Sequence, residues 1–262
     1  MAADEIVGIT LARDEDRFLG RALANASAFC DRFLLFDHGS RDGTYGIMEA
    51  FARGRGAAEA RRIGHPRESH EALLPFCGKR VWVFGVDGDE VYDPAGLAAL
   101  RPRLLGGEFD ASWMVMGHCL HCEENGDGKA AGFLAPPSRS ITKLYNFAAI
   151  DAWPGVSTER LHGGAPVFRP GFSASSKRLL FAESGWDDSP LRCLHLCFCR
   201  RSSLQPQAGP ARPNIDELYN RRLPAVVNRL LARLFPGGSR WKRERYRRGP
   251  RQSVADTPFF HP

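Results

Sequence analysis

The feature that most constrains the fold is an alternation, over the first hundred residues, between short apolar runs and amphipathic stretches. Glu5 to Leu11 (EIVGITL), Asp31 to Phe36 (DRFLLF) and Arg80 to Val86 (RVWVFGV) are rich in β-branched and aromatic residues. They are too short for globular helices and read as buried strands. Between the first two, Arg17 to Phe29 carries Phe18, Leu19, Ala22, Leu23 and Ala26 at helical spacing. Thr44 can cap a second helix running to about Ala52, and Glu59 to Ile63 is read as a further strand. Strands separated by helices imply βαβ units and a parallel sheet covered on both faces.

Beyond Asp93-Pro94 the pattern predicts a helix over Ala95 to Leu105, stopped by Gly106-Gly107. Phe109 to Cys122 reads as one or two strands, and Glu123 to Pro137, rich in Gly, Ala and Pro, as a surface loop. Ser140 to Phe147, Ala165 to Phe168 and Leu191 to Cys199 are further strands. From Asn214 a helix carries Leu218, Leu223, Val226, Val227, Leu230, Leu231 and Leu234, with Arg221, Arg222, Arg229 and Arg233 interspersed and a kink expected at Pro224.

Hydrophobic residues make up 43% of the chain and charged residues 25%, which suits a packed core and excludes a fibrous or wholly disordered chain. The longest apolar runs, such as Val81 to Phe84, fall short of the ~20 residues a membrane-spanning helix needs. Met-Ala-Ala-Asp-Glu-Ile lacks the basic flank and apolar stretch of a secretory signal, so the expected location is cytoplasmic. Charge is unevenly placed. Residues 1–199 hold 22 Lys/Arg against 26 Asp/Glu, whereas residues 200–251 hold 14 against 3. A basic C-terminal region on a mildly acidic body points to an anionic partner.

Five of the 7 cysteines fall in two groups, Cys119-Leu120-His121-Cys122 and Cys193-Leu194-His195-Leu196-Cys197-Phe198-Cys199. All are expected to be reduced thiols. C-x-x-C spacing beside histidine permits a structural zinc ion. Burial of free cysteine as a small apolar side chain accounts for the same residues.

Three polar clusters follow predicted strands: Arg13-Asp14-Glu15, then Asp37-His38-Gly39-Ser40-Arg41-Asp42-Gly43-Thr44, then Asp87-Gly88-Asp89-Glu90. Each alone is an ordinary strand-end turn. Together they mark the edge where open α/β sheets bind ligands. Continued alternation through Asp87-Gly88-Asp89 would put both carboxylates on one side. Two hard oxygen donors so placed suit Mg²⁺ or Mn²⁺.

The runs I-V-G-I-T-L-A-R-D-E, F-D-H-G-S-R-D-G-T and W-V-F-G-V-D-G-D-E resemble the nucleotide-sugar-binding half of family 2 glycosyltransferases. Those enzymes carry a D-x-G-S-x-D-G-T-like turn after the second strand and a D-x-D motif downstream, as do Asp37 and Asp87 here, 50 residues apart. More faintly, Leu194-His195-Leu196 with Arg200, Arg201 and Ser202 is similar to an H-x-x-x-+-S element of compact bacterial relatives. The resemblance implies an α/β chain of GT-A (Rossmann-like) fold, with a mixed, mainly parallel sheet flanked by helices. Residues 1–200 would form the glycosyltransferase domain, 1–95 being the nucleotide-sugar-binding half and 96–200 the acceptor half; 201–262 would be a basic amphipathic helical extension.

The same resemblance implies site roles. Arg13 and Glu15 would line the base and ribose pocket, with backbone from Thr10 and Ala12 and with Ser40 in the adjoining turn. Asp37 would accept from the ring N–H of a uracil-type base. Asp87 would face ribose or metal, and Asp89 would bind the divalent cation, Mn²⁺ or Mg²⁺, which stabilises the departing nucleoside diphosphate. His195 is a further metal or diphosphate contact, or else a core histidine. Trp153 and His162 mark an acceptor pocket, a core Trp being the alternative. The general base falls to Glu159, Asp187 or Asp188, with Glu159 favoured by its place between Trp153 and His162, because no Glu-Asp pair of the family kind is present. Inverting and retaining outcomes both stay open.

The implied activity is metal-dependent transfer of a hexose from a nucleotide-sugar donor, UDP-linked, to a glycan or lipid-linked acceptor in bacterial surface polysaccharide synthesis. Residues 214–251 combine an apolar side, aromatic anchors and positive charge, so a peripheral place on the inner face of an anionic membrane is expected, each basic residue contributing ~1 kcal/mol there. A helix packed on the catalytic domain is the alternative. Nucleic acid would explain the basic tail but not the acidic clusters. The competing class is a zinc-stabilised or anion-binding interaction protein on the same scaffold.

Overall fold

The computed structural model describes residues 3–136, 144–154, 160–161, 163–205 and 245–260. Strand β1 (Glu5–Ala12) is buried along nearly its whole length. It leads through helix α1 (Leu19–Ser27) to β2 (Arg32–Asp37), then α2 (Thr44–Arg53), β3 (Ala58–Arg62), α3 (Arg67–Glu71) and β4 (Val81–Gly85). β1 pairs in parallel with β2 on one side and β4 on the other, and β3 extends the parallel run beyond β2. Every residue of β4 is buried, as a central strand covered on both faces requires. Gly8 lets two strands close up: a Cβ there would stand 2.6 Å from the Phe33 ring of β2.

Next come β5 (Glu90–Tyr92) and α4 (Pro94–Leu105). α4 is started by the Asp93 carboxylate, which accepts from the Ala95 and Gly96 N–H groups, and by Pro94 in the first turn. Then follow β6 (Met114–Met116), β7 (His118–Gly126), β8 (Lys129–Ala135), β9 (Leu144–Asn146), β10 (Ile150–Ala152), β11 (Val167–Phe168), β12 (Lys177–Leu179), α5 (Leu180–Glu183) and β13 (Arg192–His195). The chain ends with β14 (Arg251–Ala255) and the short helix α6 (Thr257–Phe260).

The strands form a seven-stranded sheet ordered β12-β6-β9-β4-β1-β2-β3 and a five-stranded sheet ordered β14-β8-β7-β13-β5, with β10 and β11 a separate pair. The larger sheet is mainly parallel, only β9 running against its neighbours β4 and β6. On one face Trp82, Phe84 and Phe33 pack with Leu23 of α1 and Leu97 and Leu100 of α4. On the other, Val7, Ile9, Val83 and Phe36 pack with Tyr145, Phe147 and Trp153. Mixed α/β architecture with a mainly parallel central sheet is thus what the alternating pattern builds.

Two regions differ from the sequence expectation. The Gly-rich segment read as a surface loop is a hairpin, β7 and β8 turning through Gly126, Asp127 and Gly128, all three with positive φ. Residues 251–260, expected as part of the C-terminal extension, join the body, because β14 adds to the edge of β8 and Phe259 enters a core with Leu120, Leu194 and Trp186. The Asn25 amide of α1 donates to the Phe259 carbonyl at 2.7 Å, closing the chain on itself. The helix expected from Asn214 lies outside the described residues.

Candidate functional site

Parallel pairing aligns the ends of β1, β2 and β4 on one edge of the sheet, with Ala12 opposite Asp37 and Ile9 opposite Gly85. The loops leaving these ends carry the three acidic clusters. Asp14 sits at φ +52°, a left-handed turn that Asp tolerates better than most residues. That turn carries the loop across to the end of β2. There the Asp14 N–H donates to Ser40 Oγ at 3.0 Å, and the Arg41 N–H donates back to Asp14 Oδ1 at 2.8 Å. The Glu15 N–H donates to Thr44 Oγ1 at 2.7 Å, and Asp16 accepts from the Gly43 N–H at 3.2 Å. Asp37 is wholly buried; both its oxygens accept from the Ser40 N–H, at 3.3 and 3.2 Å, and Arg62 Nε approaches to 3.9 Å. Gly39, at φ +69°, makes that return turn possible.

The third cluster departs from strand alternation. β4 stops at Gly85 and the chain turns, the Glu90 N–H donating to the Asp87 carbonyl at 3.1 Å. The two carboxylates consequently meet different guanidinium groups. Asp87 forms an ion pair with Arg160. Asp89 Oδ2 meets Arg201 at 2.5 Å and His195 Nε2 at 3.6 Å. Arg201 also reaches Glu15 Oε1 at 3.6 Å, so one guanidinium joins the loops after β1 and β4. Burial alone would raise the Asp89 carboxyl, but the charges of Arg201 and His195 hold it well below the usual range. Burial likewise opposes the Arg201 charge, and Asp89 with Glu15 overcomes it, so the guanidinium stays ionised.

The segment following β13 binds the clusters together. The Arg17 N–H donates to the Arg201 carbonyl at 3.0 Å. Ser202 Oγ donates to Asp42 Oδ2 at 2.6 Å, and the Ser203 N–H and hydroxyl both donate to Asp16. Four acidic residues from three separate loops, Glu15, Asp16, Asp42 and Asp89, are therefore held by three consecutive residues, Arg201 to Ser203. The sequence offered Arg201 and Ser202 as part of a pattern without a role; the structure makes them the clasp of the acidic edge. Arg160 was not singled out, though it stands between Glu159 and His162.

Of the remaining expected site residues, Thr10, Ala12 and Arg13 lie at the end of β1 and in the loop that leaves it, and Ser40 in the turn after β2. His195 ends β13 beside Asp89. Glu159 and His162 lie outside the described residues. Asp187, its side chain 94% exposed, pairs with Arg192 at the opposite end of β13 from His195, with Asp188 next to it in the chain. Trp153 is a core aromatic and not an exposed platform. Its ring packs on His70, Tyr145 and Phe147, and its indole N–H donates to the Gly163 carbonyl at 3.0 Å. Cys122 and Cys197 are buried thiols whose desolvation keeps them protonated, unlike reactive nucleophiles.

Carboxylate oxygens of Asp87 and Asp89 beside an imidazole are donor types that Mg²⁺ and Mn²⁺ accept. Each carboxylate is engaged by its own guanidinium, and Asp87, Asp89 and His195 do not form a group with ligand atoms all within 4.8 Å of one another, so the match to such an ion is one of donor type only.

No protein-family model matches the chain, and no curated protein does. Among solved structures it is similar to residues 1–349 of S. aureus TarS, at 17% identity and TM-score 0.38, over 58% of this chain and 50% of that one. It is also similar to glucosyl-3-phosphoglycerate synthase from Mycobacterium tuberculosis, crystallised with Mn²⁺, uridine diphosphate and glucosyl-3-phosphoglycerate, at 21% identity and TM-score 0.27, over 47% of this chain and 45% of that one. The chain spans about half the length of each. What defines the molecule as a class is its own architecture, an α/β sheet with an acidic, arginine-clasped carboxyl edge.

Proposed function

We propose that the chain is a glycosyltransferase that takes a UDP-linked sugar and passes the sugar to a glycan or lipid-linked acceptor. The observation that carries the reading is the convergence of Glu15, Asp16, Asp42 and Asp89 on Arg201 to Ser203, at the strand edge where open α/β sheets bind nucleotides. The motif resemblance, D-H-G-S-R-D-G-T followed by D-G-D-E, falls on the same loops.

In this reading Asp37 and Glu15, with Arg13 and the backbone of Thr10 and Ala12, receive base and ribose. Asp87 and Asp89 would hold Mn²⁺ or Mg²⁺ in exchange for their guanidinium partners, and the ion would supply Lewis-acid stabilisation of the leaving diphosphate. Arg160 and Arg201, released from those carboxylates, would add positive charge beside it. His195 orients Asp89 through Nε2. Glu159 serves as general base, being the sequence neighbour of Arg160, which touches Asp87. Residues 214–251 bring the enzyme to an anionic membrane surface, where a lipid-linked acceptor would lie. Among the described residues no helix is long and apolar enough to cross a membrane.

Calorimetry against a panel of UDP-, GDP- and CMP-sugars, with and without Mn²⁺, tests the proposal. Metal-dependent binding of a UDP-sugar is expected, and Asp89→Asn should lose it while keeping the parent circular dichroism. Absence of any nucleotide-sugar binding overturns the transferase reading. Equal binding by Asp89→Asn overturns the metal assignment.

A further inference from the structure

The tripeptide Cys-Leu-His occurs twice, at 119–121 and at 193–195, and the fold lays one copy against the other. β7 and β13 run parallel with Cys119 opposite Cys193, Leu120 opposite Leu194 and His121 opposite His195. Side chains alternate along a strand. Both leucines point into the cluster with Val91 and Trp186, while Cys119 and Cys193 point to the other face with Phe84 and Tyr92. His121 and His195 share that second face.

This polar patch is shut away from water: Cys119 and His121 are fully buried, and His195 is 6% exposed. His121 Nδ1 and His195 Nδ1 face each other at 2.9 Å, and Cys119 Sγ lies 3.8 Å from His121 Nδ1. One possible ligand atom from each of the three residues lies within 4.8 Å of the other two. A tetrahedral zinc ion with bonds of about 2.3 Å to sulfur and about 2.05 Å to nitrogen spaces its ligand atoms roughly 3.3–3.6 Å apart. The cluster needs shifts of only a few tenths of an ångström at the two measured contacts to meet that spacing.

We propose that Cys119, His121 and His195 bind a zinc ion through one sulfur and two nitrogen donors. Thiolate and imidazole together are the donor set zinc prefers over Mg²⁺ or Mn²⁺. A ligating histidine commonly directs its remote ring nitrogen at a carboxylate, which fixes the tautomer and ring. The remote nitrogen of His195 is on the carboxylate side, its Nε2 3.6 Å from Asp89 Oδ2. The Tyr246 ring covers the pair, 4.4 Å from His121 and 5.6 Å from His195 between centroids. The ion is structural in place. It fixes His195, and through it the carboxylate at the acidic edge, whatever reaction that edge performs.

Zinc content of the full-length protein, purified under reducing conditions without chelator, tests the site by atomic emission. About one tightly held ion per chain is expected. Cys119→Ser should fall to background, while Cys122→Ser, whose thiol lies on the opposite face and donates to the Leu120 carbonyl, should keep its zinc. Replacement by Co²⁺ in the parent protein should give thiolate-to-metal charge-transfer absorption, a readout that depends on no variant folding. A parent protein that retains no zinc after reconstitution and shows no such absorption overturns the proposal, as does full zinc in Cys119→Ser. None of these measurements involves a nucleotide sugar, so their failure is distinct from failure of the transferase reading.

Discussion

Arg201 is the residue on which the acidic edge depends most. It neutralises Asp89 and approaches Glu15 within a site closed to solvent. Removing one partner of a buried ion pair leaves an uncompensated charge, which costs about 3–5 kcal/mol. Arg201→Met should lose that much in urea unfolding at pH 7.5. In the parent, the Asp89 carboxyl is held below its ordinary value, so the pair's contribution is complete above about pH 4 and declines as pH falls through the lowered value. In Arg201→Met, burial without the guanidinium raises the same carboxyl, so the deficit should shrink as the medium is acidified toward pH 4.5. A deficit that does not vary with pH would show that Arg201 acts by packing alone. The sequence pointed to Asp89 and to the pattern containing Arg201, but not to their pairing, because 112 residues separate them and only the return of β13 to the site joins them.

At the scale of elements, local pattern and long-range pairing were legible to different degrees. β1, β2, β4, α1, α2 and α4 lie within about two residues of where their apolar spacing places them, since each buries its own stripe or faces. β9 lies inside the expected Ser140 to Phe147 strand, whereas β5 and β14 were not separable from their surroundings. β5 is three residues long, and β14 (RQSVA) is polar and half exposed, so each owes its existence to a neighbouring strand. Of the two readings open for Trp153 the structure takes the core one, because the cluster with Phe147 and Tyr145 surrounds its ring. The integration of the C-terminal elements is testable. Phe259→Ala in α6 removes a ring that is 1% exposed and should cost about 3–5 kcal/mol by chemical denaturation. A loss below 0.5 kcal/mol would mean that α6 is an appended tail after all.

For the whole molecule, the basic region and the catalytic proposal must be tested without cutting the chain. Truncation at residue 214 would delete β14 and α6 with the charges, and would expose the edge of β8. Replacing Arg221, Arg222, Arg229 and Arg233 with Ser leaves those elements in place. With each charge contributing ~1 kcal/mol at an anionic surface, co-sedimentation with phosphatidylglycerol vesicles should weaken at least about tenfold. Unchanged recovery rejects the membrane proposal.

The bond from Asn25 to the carbonyl of Phe259 ties the first helix to the last turn, 234 positions away. During synthesis that bond waits until Phe259 has left the ribosome, and the acidic loops wait for Arg201, Ser202 and Ser203. A nascent chain that has not reached residue 201 carries Asp16, Asp42 and Asp89 without the partners that clasp them in the folded protein.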